Sequence, residues 1–204
     1  MQKTYSQNNE QQVILDYFGE HYIGTFLDLG CNDGATFSNT RVIALNGWSG
    51  MLVDASATAA NLAQTLYKDN DRVEVVNVAI APYKGFITFY ESGTHLGGQD
   101  VSLVSTIIES EKQRWVNEQF TEVQVPCDTV KSIMNGRKFD FINIDIEGMD
   151  FEVLSQIDLT DVKCVCVEYN GIDPKKYIDY CAAYGLTEIH RNGENLIFAA
   201  IWKT

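Results

Sequence analysis

The segment Phe26-Leu27-Asp28-Leu29-Gly30-Cys31-Asn32-Asp33-Gly34 restricts this chain more than any other. A short apolar run ending in a glycine-punctuated turn reads as a strand buried on both faces. Such strands belong to parallel sheets covered by helices, and those sheets bind ligands beyond the carboxyl ends of their strands. Gly30 and Gly34 let the backbone approach a ligand without interference from a Cβ. Asp28, two residues ahead of the first glycine, is placed to accept from an ammonium group or to order the loop. A dinucleotide site asks for G-x-G-x-x-G. Here Asn32 replaces the second glycine and Asp33 would repel a phosphate. The loop therefore suits a ligand carrying an amine and a sulfonium better than one carrying two phosphates.

The rest of the chain repeats the strand–helix alternation. Helical spacing predicts a helix over 10–22, within an N-terminal helical lead-in at 1–24. Further helices are expected over 36–46, over 57–67 around Leu62 and Leu66, over 102–119, from an Asp128 cap to 134, over 151–157 and over 174–184. Strands are expected at 25–29, 50–53, 72–80, 86–90, 121–125 (before Pro126), 139–146 and 164–168. Two last strands, 186–190 and 196–202, flank the turn Arg191-Asn192-Gly193-Glu194 and predict an antiparallel hairpin. No repeat or linker divides the chain, so 1–204 reads as one α/β domain with a mostly parallel sheet and helices on both faces.

The charge balance bears on the partner. The formal net charge is −13, with 28 acidic against 15 basic residues, which opposes nucleic-acid binding. The five cysteines form no C-x-x-C pair, so neither zinc nor a disulfide framework is expected. Cys164 and Cys166 alternate in an apolar run and are expected on one face of a buried strand. The polar N-terminus and the lack of a long apolar stretch predict no membrane segment and a cytoplasmic, reducing location.

Asp54 follows the run Met51-Leu52-Val53. An acid at the end of the second strand can hydrogen-bond both ribose hydroxyls of a nucleoside through its two oxygens. Together with Tyr5-Ser6-Gln7, Ser38-Asn39-Thr40, Gly47-Trp48-Ser49-Gly50, Asp145-Ile146-Glu147-Gly148 and Asn195-Leu196-Ile197-Phe198, the glycine loop resembles the FkbM-type methyltransferases in motif order and spacing. That resemblance implies a class I methyltransferase Rossmann-like fold and S-adenosylmethionine as methyl donor. It also implies O-methylation of a sugar, glycan or natural-product hydroxyl. It places Tyr5, Ser6, Gln7, Asn39 and Thr40 near the cofactor, and Asn77 and Ala79 beside adenine. Two features depart from the family: Asp54 stands where glutamate is more frequent, and 91–119 matches no family pattern. That segment is read as an acceptor-site insertion.

A hydroxyl acceptor must lose its proton to a base or to a metal. Asp145 and Glu147, after the run at 139–146, and Glu168, at the end of 164–168, are the candidates. Strand alternation would point Asp145 and Glu147 to the same side. Asp145, Glu168 and Asn170 offer oxygen ligands for Mg²⁺, resembling the arrangement in catechol-type O-methyltransferases. His95, in the loop 93–98, is a further candidate base, whereas His21 and His190 read as structural, His190 as a satisfied imidazole. Trp48, Phe86, Phe89, Tyr90 and Trp115 read as packing rather than as a stacking platform. Two other classes stay open on sequence: a nicotinamide-dependent oxidoreductase and a non-catalytic cofactor-binding module.

Overall fold

The structure, a computed structural model, describes residues 3–93, 95–96 and 101–201. Helix α1 (Glu10–Phe18) leads into β1 (Thr25–Leu29), α2 (Arg41–Leu45), β2 (Ser49–Asp54), α3 (Ala57–Tyr67) and β3 (Val73–Asn77). Three strands follow: β4 (Ala79–Ile80), β5 (Gly85–Glu91) and β6 (Thr121–Asp128). The second half comprises α4 (Val130–Met134), β7 (Phe141–Ile144), α5 (Asp150–Leu154), β8 (Cys164–Glu168), α6 (Lys175–Ala183), β9 (Leu186–Arg191) and β10 (Asn195–Ala200).

Seven strands form the main sheet in the order β3-β2-β1-β7-β8-β10-β9. The pairs β3–β2, β2–β1, β1–β7 and β7–β8 are parallel, while β10 runs antiparallel to both β8 and β9. The hairpin thus inserts its second strand between β8 and β9. Alternation sends each strand's side chains to two cores. Leu27, Leu29, Ile142, Ile144, Val165 and Val167 pack against Ile133, Leu154 and Tyr177 from α4, α5 and α6. Phe26, Phe141, Cys164 and Cys166 face the other way, onto Ile14, Val42 and Ala63 from α1, α2 and α3. The two cysteines share a face, as the alternation predicts. Each fully buried Leu, Ile or Phe contributes about 1.5–3 kcal/mol, so the β1–β7–β8 centre is the rigid part of the molecule. Chain order reverses at β1, with β2 on one side and β7 on the other, which opens a crevice at their carboxyl ends.

Several elements differ from the sequence expectation, each for a local reason. Helix α2 starts at Arg41, not at 36, because Asp33 captures the Ala35 and Thr36 amides and Phe37 sits at φ 53°. In α3 the buried face is Ala59, Ala60, Ala63 and Tyr67, whereas Leu62 and Leu66 are exposed. Thr129, not Asp128, caps α4 by accepting from Ser132 N. The expected helix over 102–119 is only a 3₁₀ segment, Glu109–Arg114. There the hydroxyls compete with helix formation: Ser105 Oγ accepts from Ser92 N at 2.8 Å and Thr106 Oγ1 donates to the Glu147 carbonyl at 2.6 Å. The expected strand over 72–80 divides into β3 and β4, and β4 joins β6 and β5 in a second sheet of order β4-β6-β5. That small sheet is not foreseen from the sequence. No helix among the described residues is long and apolar enough to cross a membrane.

Candidate active site

The crevice at the β1–β7 switch is a cleft with a void of about 1210 Å³, its open mouth included. Its floor is built around Gly30. At φ 86° the residue turns the chain out of β1, and a Cβ there would lie 1.6 Å from the Asp145 carbonyl oxygen. Two strand ends therefore meet at a position where only glycine fits. The Gly30 and Cys31 amides both donate to Val53 O, tying the loop to β2 as well.

Asp54, at the tip of β2, lines the cleft. Its Oδ2 accepts from Asn32 N at 2.7 Å and its Oδ1 from Ser56 N at 2.8 Å. Burial raises this carboxyl to about 6 against those two amides. Each oxygen keeps a lone pair for a further donor. Around it, Val53, Val78, Ala79, Ile80 and Phe89 give the cleft an apolar wall. Asp28 sits deeper, 1% exposed, and accepts from Thr40 Oγ1 and from Asn143 Nδ2 at 2.8 Å. Burial pushes it to about 6 as well. The network continues outward: Asn39 Nδ2 donates to Asn143 Oδ1, Ser6 Oγ donates to Asn39 Oδ1, and Gln11 N donates to Ser6 Oγ. A buried polar chain thus anchors the N-terminal segment to β1 and β7.

Not every sequence candidate reaches the cleft. Gln7, Asp28, Gly30, Asn32, Asn39, Asp54 and Ala79 line it. Ser6 and Thr40 stand one layer behind, in the polar chain just described. Tyr5 binds Gln11 through its amide, Gly34 packs on Tyr67 and Ala63, and Asn77 turns away to the Asp54 and Ala55 carbonyls. Asn77, expected beside adenine, does not itself line the cleft. Asn143 escaped the sequence reading, although one polar residue inside the run Phe141-Ile142-Asn143-Ile144 signals a buried partner.

At the other end of the cleft stand Asp145, Glu147, Glu168 and Asn170, with His95 and Trp115. Strand β7 stops at Ile144, so strand alternation does not place Asp145 and Glu147; a loop with Glu147 at φ 54° and Gly148 at φ 116° does. Asp150 shapes that loop by accepting from Ile146 N and Gly148 N. Burial, reinforced by Asp150 and Asp28, raises Asp145 to about 8. Burial also holds Glu147 and Glu168 well above their ordinary range, with Asp145 the next cause for both. The 102–107 segment and Trp115 cover this end, and the His95 ring meets Trp115 edge-on at 4.8 Å. Trp115 is therefore a cleft residue rather than packing alone, and Phe86 is 69% exposed rather than core. His190, expected to be satisfied, has a buried Nε2 with no hydrogen-bond partner among the described residues.

The residues fit an adenosyl amino acid and disfavour a dinucleotide. Asp28, Asp54, Asp145, Glu147, Glu168 and Glu194 line the cleft, and no lysine or arginine does among the described residues. A pyrophosphate would meet only like charge. The fold and the cleft together define a class I S-adenosylmethionine-dependent methyltransferase. The chain belongs to the FkbM methyltransferase domain family, which matches residues 28–185. No curated protein matches the sequence significantly.

Among solved structures, monomeric WbdD superposes with a TM-score of 0.53 at 14% identity, covering 96% of this chain and 41% of that one. A ribosomal protein L11 methylase from Lactobacillus delbrueckii subsp. bulgaricus gives 0.51 at 12% identity, covering 93% and 75%. Magnesium protoporphyrin IX methyltransferase (ChlM) from Synechocystis PCC 6803, with SAM bound, gives 0.50 at 9%, covering 94% and 78%. The present chain thus spans less than half of the WbdD chain, and these likenesses concern the fold.

When bound, S-adenosylmethionine supplies an electrophilic methyl group on a sulfonium. Asp54, with a lone pair free on each oxygen, would hold its ribose; on that expectation Asp54→Asn weakens S-adenosylhomocysteine binding about 10–100-fold by calorimetry. Unchanged affinity would remove Asp54 from the site.

Proposed function

We propose that this methyltransferase methylates a hydroxyl oxygen of a small molecule or of a sugar in a glycan. The observation that carries the reading is the convergence of Asp145, Glu147 and Glu168 on one end of the cleft. A hydroxyl is a poor nucleophile until it sheds its proton. A carboxylate whose proton affinity burial raises above the ordinary range is a stronger base toward that proton. Well-oriented nucleophiles gain about 7–11 kcal/mol from positioning alone, and the walls contributed by 102–107 and Trp115 supply that confinement. The same acids argue against phosphorylated or carboxylated acceptors and against nucleic acid, whose charge they would repel. The cleft walls contributed by 102–107 and Trp115 are the part expected to set acceptor specificity.

The test is methyl transfer from labelled cofactor to a panel of hydroxylated small molecules and glycans, with the product's methyl position assigned by NMR. Glu147→Gln should lower turnover by about 100-fold or more while S-adenosylhomocysteine affinity stays within about twofold. Products methylated only on nitrogen or sulfur would refute the reading, as would full turnover in Glu147→Gln.

A further inference from the structure

We propose that a divalent cation binds among Asp145, Asp150 and Glu168. One carboxylate oxygen from each lies within 4.8 Å of the others. The three come from independent elements: the loop after β7, the first turn of α5 and the end of β8. Metal–oxygen bonds of about 2.1–2.5 Å place donors on opposite sides of an ion about 4–5 Å apart, so the spacing suits Mg²⁺, Mn²⁺ or Ca²⁺. An all-oxygen donor set selects these hard cations over zinc or copper.

A second observation points to a missing partner. Glu168 is 7% exposed, and its Oε2 is buried with no hydrogen-bond partner among the described residues. Glu147 Oε2 also lacks a hydrogen bond among the described residues, with only the Arg114 guanidinium 3.7 Å away. Buried carboxylate oxygens left unpaired are costly, and a cation removes that cost. Arg114 pairs with Glu111 at 2.8 Å and with Glu147 at 3.7 Å, and forms no ion pair with Glu168 among the described residues. Asp150, in contrast, is held in place, since both its oxygens accept backbone amides and still keep lone pairs free. Asn170, the third ligand expected from sequence, also lines the cleft, beside Glu168.

Two of the three acids, Asp145 and Glu168, line the cleft, so an ion they held would be within reach of a bound acceptor. Two adjacent acceptor oxygens, as in a vicinal diol or an α-hydroxy carbonyl, would complete its shell, and the coordinated hydroxyl would ionise more readily. Glu147, outside the triad, is then the group left to take the proton. This consequence rests on the hydroxyl-methylation reading; the ion site itself does not.

The decisive experiment titrates the chelator-treated chain with Mn²⁺ and follows loss of the free-ion EPR signal, with neither cofactor nor acceptor present. One Mn²⁺ per chain, displaced by Mg²⁺ or Ca²⁺, is the expected result. Glu168→Gln should weaken Mn²⁺ binding at least about tenfold, with S-adenosylhomocysteine affinity and circular dichroism unchanged. Asp145→Asn should do the same should Glu168→Gln fail to fold. No Mn²⁺ binding up to millimolar concentration overturns the site. Equal affinity in the folded carboxamide variants also overturns it. So does tight binding of an aminosugar where Mn²⁺ is silent, which would assign the acids to an ammonium group. Since no methyl transfer is read, failure here leaves the O-methylation reading standing.

Discussion

Gly30→Ala is expected to destabilise the protein by roughly 4 kcal/mol or more and to abolish S-adenosylhomocysteine binding. Strain and collision both contribute. An L-residue at φ 86° carries the left-handed penalty of about 1–2 kcal/mol. The steric clash costs more: the new Cβ falls 1.6 Å from the Asp145 oxygen and 2.6 Å from its carbonyl carbon. Backbone cannot yield as a flexible side chain does. Relief requires parting the ends of β1 and β7, whose junction is closed by the hydrogen bond from Asp145 N to Leu29 O at 2.9 Å. Gly136→Ala is the calibrator, because it shares a positive φ of 75° with nothing within 4 Å of its Cβ position. Gly136→Ala should lower Tm by only a few degrees, and Gly30→Ala by more than about 10 °C at this chain length. If the two melt within a few degrees of each other, the strand ends do not meet as described.

How much of this was legible in the sequence follows from the range of the interactions. The runs at β1, β7 and β8 are buried on both faces by sheet and helix alike, so their composition alone declares them. The closing hairpin is likewise local, its turn marked by Asn192-Gly193. The second sheet was not legible, because β4 and β6 pair across 47 or so intervening residues, Ala79 with Cys127. Pro126 reads as a strand end, yet β6 continues through it. Only β5 lies beside Pro126, opposite Phe86, since β4 begins pairing at Cys127, so the absent N–H can face the open side. The acids of the site were legible as types at strand ends, but their grouping was not. Asp150 is not among the sequence candidates, and the positive φ values at Glu147 and Gly148 belong to the loop that brings it beside Asp145 and Glu168.

The protein free of cofactor and of divalent metal is expected to lose stability as pH rises from 5 to 8, with Tm falling by roughly 15 °C or more. Burial raises Asp28, Asp54 and Asp150 from 3.8 to about 6 and Asp145 to about 8. A carboxyl whose folded value is raised binds its proton more tightly when folded than when unfolded. Its contribution is full below the unfolded value and disappears as pH climbs through the folded value. Each group near 6 therefore removes about 1 kcal/mol between pH 5 and 8, and Asp145 removes roughly 3 kcal/mol or more across the whole window. At this chain length each kcal/mol corresponds to about 2–4 °C. Asp128, Asp140 and Asp158 are shifted downward, so their stabilisation is lost only in acid below this window and stays flat within it. Asp28→Asn tests the assignment, since the carboxamide resembles the protonated acid between Thr40 and Asn143. It should match the wild type near pH 5 and flatten the decline above it. Calorimetric scans across this range that show a level or rising Tm would mean these acids are not buried as uncompensated charges, and that the acidic cleft floor is solvated.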